Sequence, residues 1–223
     1  MTKMSNVRKM NKMGFIPLES TQQFLPRIDT DLRAGRWHCV ERSQDQNGNW
    51  TSEKIEVEKP KFIADLANCA IGWTAFDQTT KRPDSLMYHN SDGMPTRPTD
   101  EHKQGFEIVV KMVGGDFADS LRKFGKQGIA IVRAFNELVD EWQKHEESKD
   151  PNLAPVVHVT GAVATKAGRS TNYPPKWKIA KFVERPSEFD QHLPERVEEI
   201  NKRLQAQADQ EEKETREGDI AFV

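Results

Sequence analysis

The sequence predicts a mostly β fold: a small Greek-key barrel of five to six strands with one amphipathic helix and flexible termini. Several stretches alternate bulky and polar residues with the period of two that strands show. An Asn-Gly pair, the strongest short hairpin signal, separates the first two of them. One helical stripe precedes the last two, as expected for a helix packed across one end of a barrel. A split α+β sheet is the structural alternative.

Each predicted element has its own local reason. In chain order the elements are the strands Arg36–Arg42 and Trp50–Val57, the apolar segment Lys61–Asp77, the loop 78–101, the strand Phe106–Val113, the helix 127–147, the strand Pro155–Ala164, the loop 165–175 and the strand Lys176–Glu184. Asn47-Gly48 forms the first turn, and Ile55 and Val57 share one face of the second strand. Gly72 indicates a bend or bulge within the apolar segment.

Punctuation residues and helical spacing set the remaining boundaries. Prolines and an Asp-Gly pair place the loop at 78–101, and Gly114-Gly115 ends the strand before the helix. The helix shows apolar residues three or four positions apart, namely Ile131, Phe135, Leu138 and Trp142. A helix placed before the last two strands fits a barrel of the oligonucleotide-binding (OB) type.

The chain divides by composition into three parts. We expect residues 1–24 to be a flexible basic arm and residues 25–186 to form the OB-fold-like domain. We expect residues 187–223 to be a polar helical segment, at 193–215, followed by an acidic tail. The net charge of -2 hides an asymmetry, because 187–223 carries eleven acids and five bases while the rest has 28 bases and 24 acids. A mildly basic body with an acidic end suits a polyanionic partner and a protein-binding or regulatory tail.

The loop 165–175 and the strand after it are the first candidate binding surface. Five bases and no acid lie between Lys166 and Lys181, interleaved with Tyr173, Trp177 and Phe182. Single-stranded nucleic acid needs cations along its phosphates and flat rings under its bases. The candidate residues are Lys166, Arg169, Tyr173, Lys176, Lys178 and Lys181; Trp177, which alternates with Lys176 and Lys178, is more consistent with the core.

The first hairpin is the second candidate surface. Its aromatic and basic residues could line a barrel face, and Arg33 precedes it as a phosphate contact. The candidates are Arg33, Arg36, Trp37, Arg42, Trp50 and Lys54. A hairpin with one buried Trp and merely solvated charges is an equal alternative. Tyr88, in the predicted proline-flanked loop, is expected to be exposed and able to stack on a base.

The C-terminus is the third feature, because six acids from Asp209 to Asp219 are followed by the apolar Ile220-Ala221-Phe222-Val223. Such an end suits a basic-rimmed hydrophobic pocket of a partner, with Asp219, Ile220 and Phe222 as the docking residues. Gly218-Asp219-Ile220-Ala221-Phe222 resembles the acidic Asp-Ile-Pro-Phe-like tip of bacterial single-stranded DNA-binding proteins. Ala221 replaces the proline and Val223 follows the aromatic residue, two departures from that tip.

The layout over 25–186 together with the tail resembles the single-stranded DNA-binding proteins of tailed bacteriophages. Three short stretches are similar to such proteins: Asp65–Asn68 with Gly72-Trp73, His102–Phe106, and Ser170–Pro174. The resemblance implies a cytoplasmic protein that coats and protects single-stranded DNA without sequence specificity during replication, recombination or repair. It also implies replication or recombination enzymes as partners of the tail, and a homodimer.

The sequence supports an enzyme function less well than it supports nucleic-acid binding. Asp65, Asp77 and Glu107 with Lys111 are candidates for a metal-dependent nuclease, but Glu107 and Lys111 stand four residues, about 13 Å, apart on one strand. No zinc, nucleophile or phosphate-loop motif occurs, and Cys39 and Cys69 fit inert core positions in a reducing compartment. No run of about 18 apolar residues exists to span a membrane. We therefore expect no enzyme activity, cofactor or metal, with a protein-interaction scaffold as the alternative.

Overall fold

The computed structural model describes residues 25–45, 48–77, 82–167, 170–199 and 202 of the 223-residue chain. This part is mostly β, with the helix α1 (Ile129–Gln143) and short 3-10 turns such as Leu66–Asn68 and Ser187–His192. None of its helices is long and apolar enough to cross a membrane. The strands are β1 (Arg27–Asp31), β2 (Arg36–Gln44), β3 (Trp50–Val57), β4 (Lys61–Ala64), β5 (Ala70–Asp77), β6 (Arg82–His89), β7 (Lys103–Met112), β8 (Leu121–Gln127), β9 (Leu153–Ala162), β10 (Thr165–Ala167), β11 (Ser170–Asn172) and β12 (Pro175–Glu184).

Ten of these strands form one sheet, in the order β12-β9-β4-β7-β8-β1-β2-β3, with β5 paired to β7 and β6 paired to β5. β10 and β11 form a separate two-stranded hairpin. β1 and β8 run parallel, whereas the other pairs are antiparallel. The predicted first hairpin is confirmed, because β2 and β3 pair in unbroken register from Trp37–Val57 to Gln44–Trp50.

β7 is the centre of the sheet because two shorter strands share one of its edges. Its C-terminal half pairs with β4, where Phe62 lies opposite Met112, and its N-terminal half pairs with β5, where Ala70 lies opposite Glu107. The 3-10 turn at Leu66–Asn68 separates β4 from β5. The sheet therefore forks beyond β7, with β9 and β12 on one branch and β6 on the other.

The hydrophobic core lies between α1 and the inner face of the sheet. Phe106 of β7 stacks on Phe135 of α1 with ring centroids 3.8 Å apart. Inward positions alternate with more exposed ones at the start of β2, where Trp37 and Cys39 are buried and Arg36 is exposed. Burial of each large apolar side chain contributes roughly 1.5–3 kcal/mol, so this face stabilises the sheet.

The predicted barrel of five to six strands is wrong in strand number and in closure. The sheet has ten strands and is not closed. β1, β6 and β8 were absent from the sequence prediction. β1 is only five residues long, β6 falls in the proline-containing stretch predicted as a loop, and β8 carries four polar residues among seven. Pairing with buried neighbours, which the local sequence does not record, makes each of them a strand.

The loop predicted at 165–175 is also corrected, because β10 and β11 pair there from Thr165–Asn172 to Ala167–Ser170. The helix is confirmed but begins at Ile129, two residues later than predicted, and ends at Gln143. The basic arm at 1–24 and most of the predicted helix at 193–215 lie outside the described residues.

The chain after β12 packs back on the sheet. Arg185 makes a bidentate ion pair with the buried Asp65, at 2.8 Å (Nη2–Oδ2) and 3.1 Å (Nε–Oδ1). The ring of Phe189 is fully buried, and Lys111 Nζ of β7 lies 2.8 Å from Glu188 Oε1. Residues 185–189 are therefore part of the folded domain.

Gly72 lies in regular ladder pairing, opposite Met87 of β6 and Gly105 of β7, rather than at the predicted bend or bulge. A Cβ on Gly72 would stand 1.9 Å from the backbone oxygen of Leu86. The close approach of β6 to β5 thus requires glycine at this position.

We expect Gly72→Ala to lower the free energy of unfolding by at least about 1–3 kcal/mol, because a backbone atom must move to admit the methyl group. Urea denaturation followed by circular dichroism measures it. Gly161→Ala is the matched control, since a Cβ there meets nothing within 4 Å. Equal stability of the two variants would contradict the close approach.

Candidate nucleic-acid interface

β12, one end strand of the open sheet, meets β2, the second strand from the other end, at a seam. The inward rings of Trp37 and Trp177 touch edge to face, with centroids 5.7 Å apart. On the same seam, the backbone N–H of Tyr173 donates to the carbonyl oxygen of Leu32 at 2.6 Å. Gly35 has a φ of +66°, and a Cβ there would lie 3.1–3.2 Å from the Cβ atoms of Ala162 and Tyr173. The β1–β2 turn is thus packed directly on the strand that follows β11.

Cations flank this seam on both sides. Arg36 alternates with the inward Trp37, and Lys176 and Lys178 alternate with the inward Trp177, so all three are exposed. Arg33 is exposed on the β1–β2 turn. Asp31 fixes that turn, because its carboxylate accepts the backbone N–H of Arg33 at 2.8 Å, and this hydrogen bond lowers the pKa of Asp31. The structure therefore brings the two predicted surfaces together.

The outer face of the β2–β3 hairpin extends the basic surface. Arg42 and Lys54 lie on this face with Arg36, because Val40 pairs with Lys54 and Arg42 with Ser52. Trp50, opposite Gln44, shares the face and is 69% exposed. Its indole is free to stack on a base.

Trp37 is a correction, since it is 3% exposed and its ring packs on Phe62, Phe124 and Trp177. It stabilises the core and cannot contact nucleic acid. Trp177 is also a core residue, as the sequence favoured, and its Nε1 donates to Ala134 O of α1 at 3.0 Å.

Most of the predicted cations have no acidic partner. In the described part of the chain, no carboxylate lies within ion-pair distance of Arg33, Arg42, Lys54, Lys166, Lys176, Lys178 or Lys181. Arg36 has only an exposed pair with Glu56 at 3.4 Å, a type of pair worth about 0–1 kcal/mol. These charges are available to a polyanion.

The β10–β11 hairpin and the residue directly after it contribute two further candidates. Lys166 is exposed on β10, and Tyr173, directly after β11, is 37% exposed beside the seam.

Arg169 and the tail residues Asp219, Ile220 and Phe222 lie outside the described residues. Tyr88 is corrected from an exposed loop to a half-buried position in β6, opposite the partly buried Ile71.

Two neighbours of Lys178 escaped the sequence analysis. His158 of β9 lies directly opposite Lys178, and Lys61 of β4 lies opposite His158 on the other side. The three residues are far apart in the sequence. The charged Lys61 next to the apolar Phe62 indicates the two faces of a strand. Only the strand pairing identifies the residues that lie beside Lys61 on its face.

The residues considered for a nuclease do not form a metal site. Asp65 pairs with Arg185, Glu107 with Lys123 at 2.9 Å, and Lys111 with Glu188. Within the described ranges, no group of three or more His, Cys, Asp or Glu residues could hold a metal ion. The two cysteines are free and buried, and burial raises the pKa of Cys69 to about 11 and also raises that of Cys39. Their thiols are therefore protonated and poor nucleophiles near neutral pH.

Comparison of the chain with protein-family models, with curated proteins and with solved structures gives no match.

The placements of Trp37 and Trp50 predict opposite effects on stability. Trp37→Ala should lower the free energy of unfolding by about 3–5 kcal/mol, because it empties a buried aromatic cluster. Trp50→Ala should change it by no more than about 0.5 kcal/mol, because the ring is exposed. Urea denaturation of both variants checks this, and similar losses in the two would contradict the assignment of the faces.

Proposed function

We propose that the chain is a non-catalytic protein that binds single-stranded DNA without sequence specificity and protects it during replication, recombination or repair. The observation that carries this proposal is the seam. Exposed cations of the β1–β2 turn, β2 and β12 flank it, beside the exposed ring of Tyr173. Among the described residues, Arg36 has one exposed carboxylate partner, Glu56, and the other cations of the seam have none.

The chemistry of single strands matches these groups. Unpaired lysine and arginine side chains neutralise phosphates and release counterions, which requires no particular sequence. Each base stacked on an aromatic ring contributes about 1–3 kcal/mol, and every base has a face that can stack. Tyr173 at the seam and Trp50 on the β2–β3 face are exposed rings near cations that have no carboxylate partner among the described residues.

The strand connectivity supports an elaborated OB-type architecture within the open sheet. With β4 and β5 taken as one interrupted strand, and with β6 and the β10–β11 hairpin set aside as insertions, the chain runs β4/β5, β7, β8, α1, β9, β12. These strands stand side by side as β12-β9-β4-β7-β8. An OB barrel has this spatial order, 5-4-1-2-3, with its helix between the third and fourth strands. Here β1–β3 extend from β8, where a simple barrel would pair its third and fifth strands.

The correspondence between these strands and those of an OB barrel also indicates where a ligand would lie. OB folds bind oligonucleotides on the face of strands 2 and 3 and with the loops joining strands 1–2 and 4–5. Strands 2 and 3 correspond to β7 and β8, where two outer cations are paired within the protein: Lys111 with Glu188 and Lys123 with Glu107. The 4–5 loop corresponds to the β10–β11 hairpin, which carries Lys166 and leads into Tyr173. Binding through this hairpin and the β1–β3 surface is therefore favoured.

The acidic tail completes the proposal. Residues 209–223 would recruit replication or recombination enzymes through Asp219, Ile220 and Phe222 and would compete with DNA for the cations of the seam.

A protein-interaction module is the second candidate, and one groove favours it. The groove lies between α1 and β12, has a volume of about 570 Å³, and is lined by Ala134, Trp177 and Ile179 among others. β12 is an end strand of the sheet, and an extended peptide could pair with such an edge. Charges of both signs, such as Arg133 and Glu137, line this groove.

Replacing the exposed rings should weaken binding to a single strand of about 30 nucleotides. Trp50→Ala and Tyr173→Ala should each reduce the affinity by about five- to 100-fold, because each removes one stacking surface. Fluorescence anisotropy of a labelled strand measures this. Phe76→Ala, which removes a 49% exposed ring from β5, is the matched control and should bind like the wild type.

Salt dependence separates the two functions. The logarithm of the DNA association constant should fall linearly with the logarithm of salt concentration, by about 0.7 per neutralised phosphate. Arg42→Ala with Lys54→Ala should reduce that slope, whereas Lys149→Ala should not, because Lys149 pairs with Glu146 at 2.7 Å. Absence of any binding at low salt would reject the proposed function and favour the protein-interaction module.

Deletion of residues 209–223 should leave the DNA affinity unchanged or raise it, because the deletion removes six acids that compete with phosphates. The same anisotropy titration measures the effect. Loss of DNA binding on deletion would contradict the separate roles of tail and seam.

A further inference from the structure

Three basic side chains form a row across β4, β9 and β12. Lys61, His158 and Lys178 occupy directly opposed positions on the outer face, while their sequence neighbours Phe62, Val157 and Trp177 point into the core. Adjacent strands are about 4.8 Å apart, so a single phosphate group over His158 is within reach of both lysine side chains.

This row differs from the neighbouring part of the outer face. On β7 and β8, the outer Lys111 pairs with Glu188 and the outer Lys123 pairs with Glu107. In the described part of the chain neither Lys61 nor Lys178 has an acidic partner. Lys61 and Lys178 stand on either side of His158, so the row carries a positive charge that an external anion could neutralise.

His158 has a pKa below the ordinary value of 6.5. Burial is the larger cause, followed by the charges of Lys61 on β4 and Lys178 on β12. The imidazole is therefore neutral near pH 7 in the free protein. A phosphate placed over the row would raise the pKa of His158, because its negative charge favours the protonated imidazolium.

We infer that Lys61, His158 and Lys178 form a phosphate-binding row that takes up a proton on His158 when a polyanion binds. This inference rests on the proposed function and extends its surface from the seam, where Lys178 lies, onto β9 and β4. It gives the DNA affinity a dependence on pH that the lysines and arginines by themselves would not supply.

The sign of the dependence follows from the two states of the imidazole. The free protein binds few protons at His158 because the pKa is lowered, whereas the phosphate-bound form favours the protonated ring. Binding therefore takes up protons, and the affinity rises as the pH falls through and below 6.5. Above that range the row acts through its two lysines alone.

The test is an anisotropy titration of a labelled single strand at about pH 8 and about pH 5.5, with wild type and variants. His158→Gln should bind like wild type at the higher pH and about three- to tenfold more weakly than wild type at the lower one. Lys61→Gln should weaken binding at both pH values. Lys149→Gln, which removes a paired surface lysine, should change neither.

The melting temperature reports whether a variant is folded, and DNA binding by the wild type reports separately on the proposed function. Lys61→Gln should keep or raise the melting temperature, because it removes repulsion; a clear fall would assign Lys61 a structural role and overturn the row. If wild type binds DNA while Lys61→Gln and His158→Gln match it at both pH values, the row is wrong and the proposed function stands.

If no strand binds, NMR titration of His158 with and without inorganic phosphate decides the row. A phosphate-dependent rise of the imidazole pKa supports the row as an anion site, and an unchanged pKa overturns it.

Discussion

The contact between Trp37 and Trp177 is the interaction on which the arrangement of the basic surface depends. The sheet is not closed by strand pairing, and this aromatic contact and the hydrogen bond from Tyr173 N to Leu32 O hold its end strand β12 against β2 and the β1–β2 turn. Trp177 is further fixed to α1 through Ala134 O. Because strand side chains alternate, two inward tryptophans in contact force Arg36 and the lysines of β12 outward on either side of the seam.

Charge is distributed over the sheet in two distinct ways. On β7 and β8, partners within the fold neutralise Lys111 and Lys123, and Glu188 of the chain after β12 supplies one of these partners. At the seam and along β4–β9–β12, the cations other than Arg36, which has an exposed pair with Glu56, stand without carboxylate partners in the described residues. The second arrangement disfavours folding through repulsion, and an external polyanion would relieve it.

The Asp65–Arg185 pair connects these regions. Asp65 lies in the break between β4 and β5, and Arg185 lies directly after β12, so one buried bidentate pair ties the fork of the sheet to the end of its last strand. Removing one partner of such a pair leaves a buried charge and typically costs about 3–5 kcal/mol. Glu188, three residues after Arg185, pairs with Lys111 of β7.

The sequence by itself determined the mostly β class, the β2–β3 hairpin, the helix and the basic cluster between Lys166 and Lys181, because turn residues, periodicity and local charge are recorded locally. A period of two defines two faces of a strand without stating which is buried, so the inward side of Trp37 required the packed sheet. β1, β6 and β8 needed their neighbours to become strands. The row of Lys61, His158 and Lys178 exists only through pairing between distant segments, and only the tertiary structure decides that pairing.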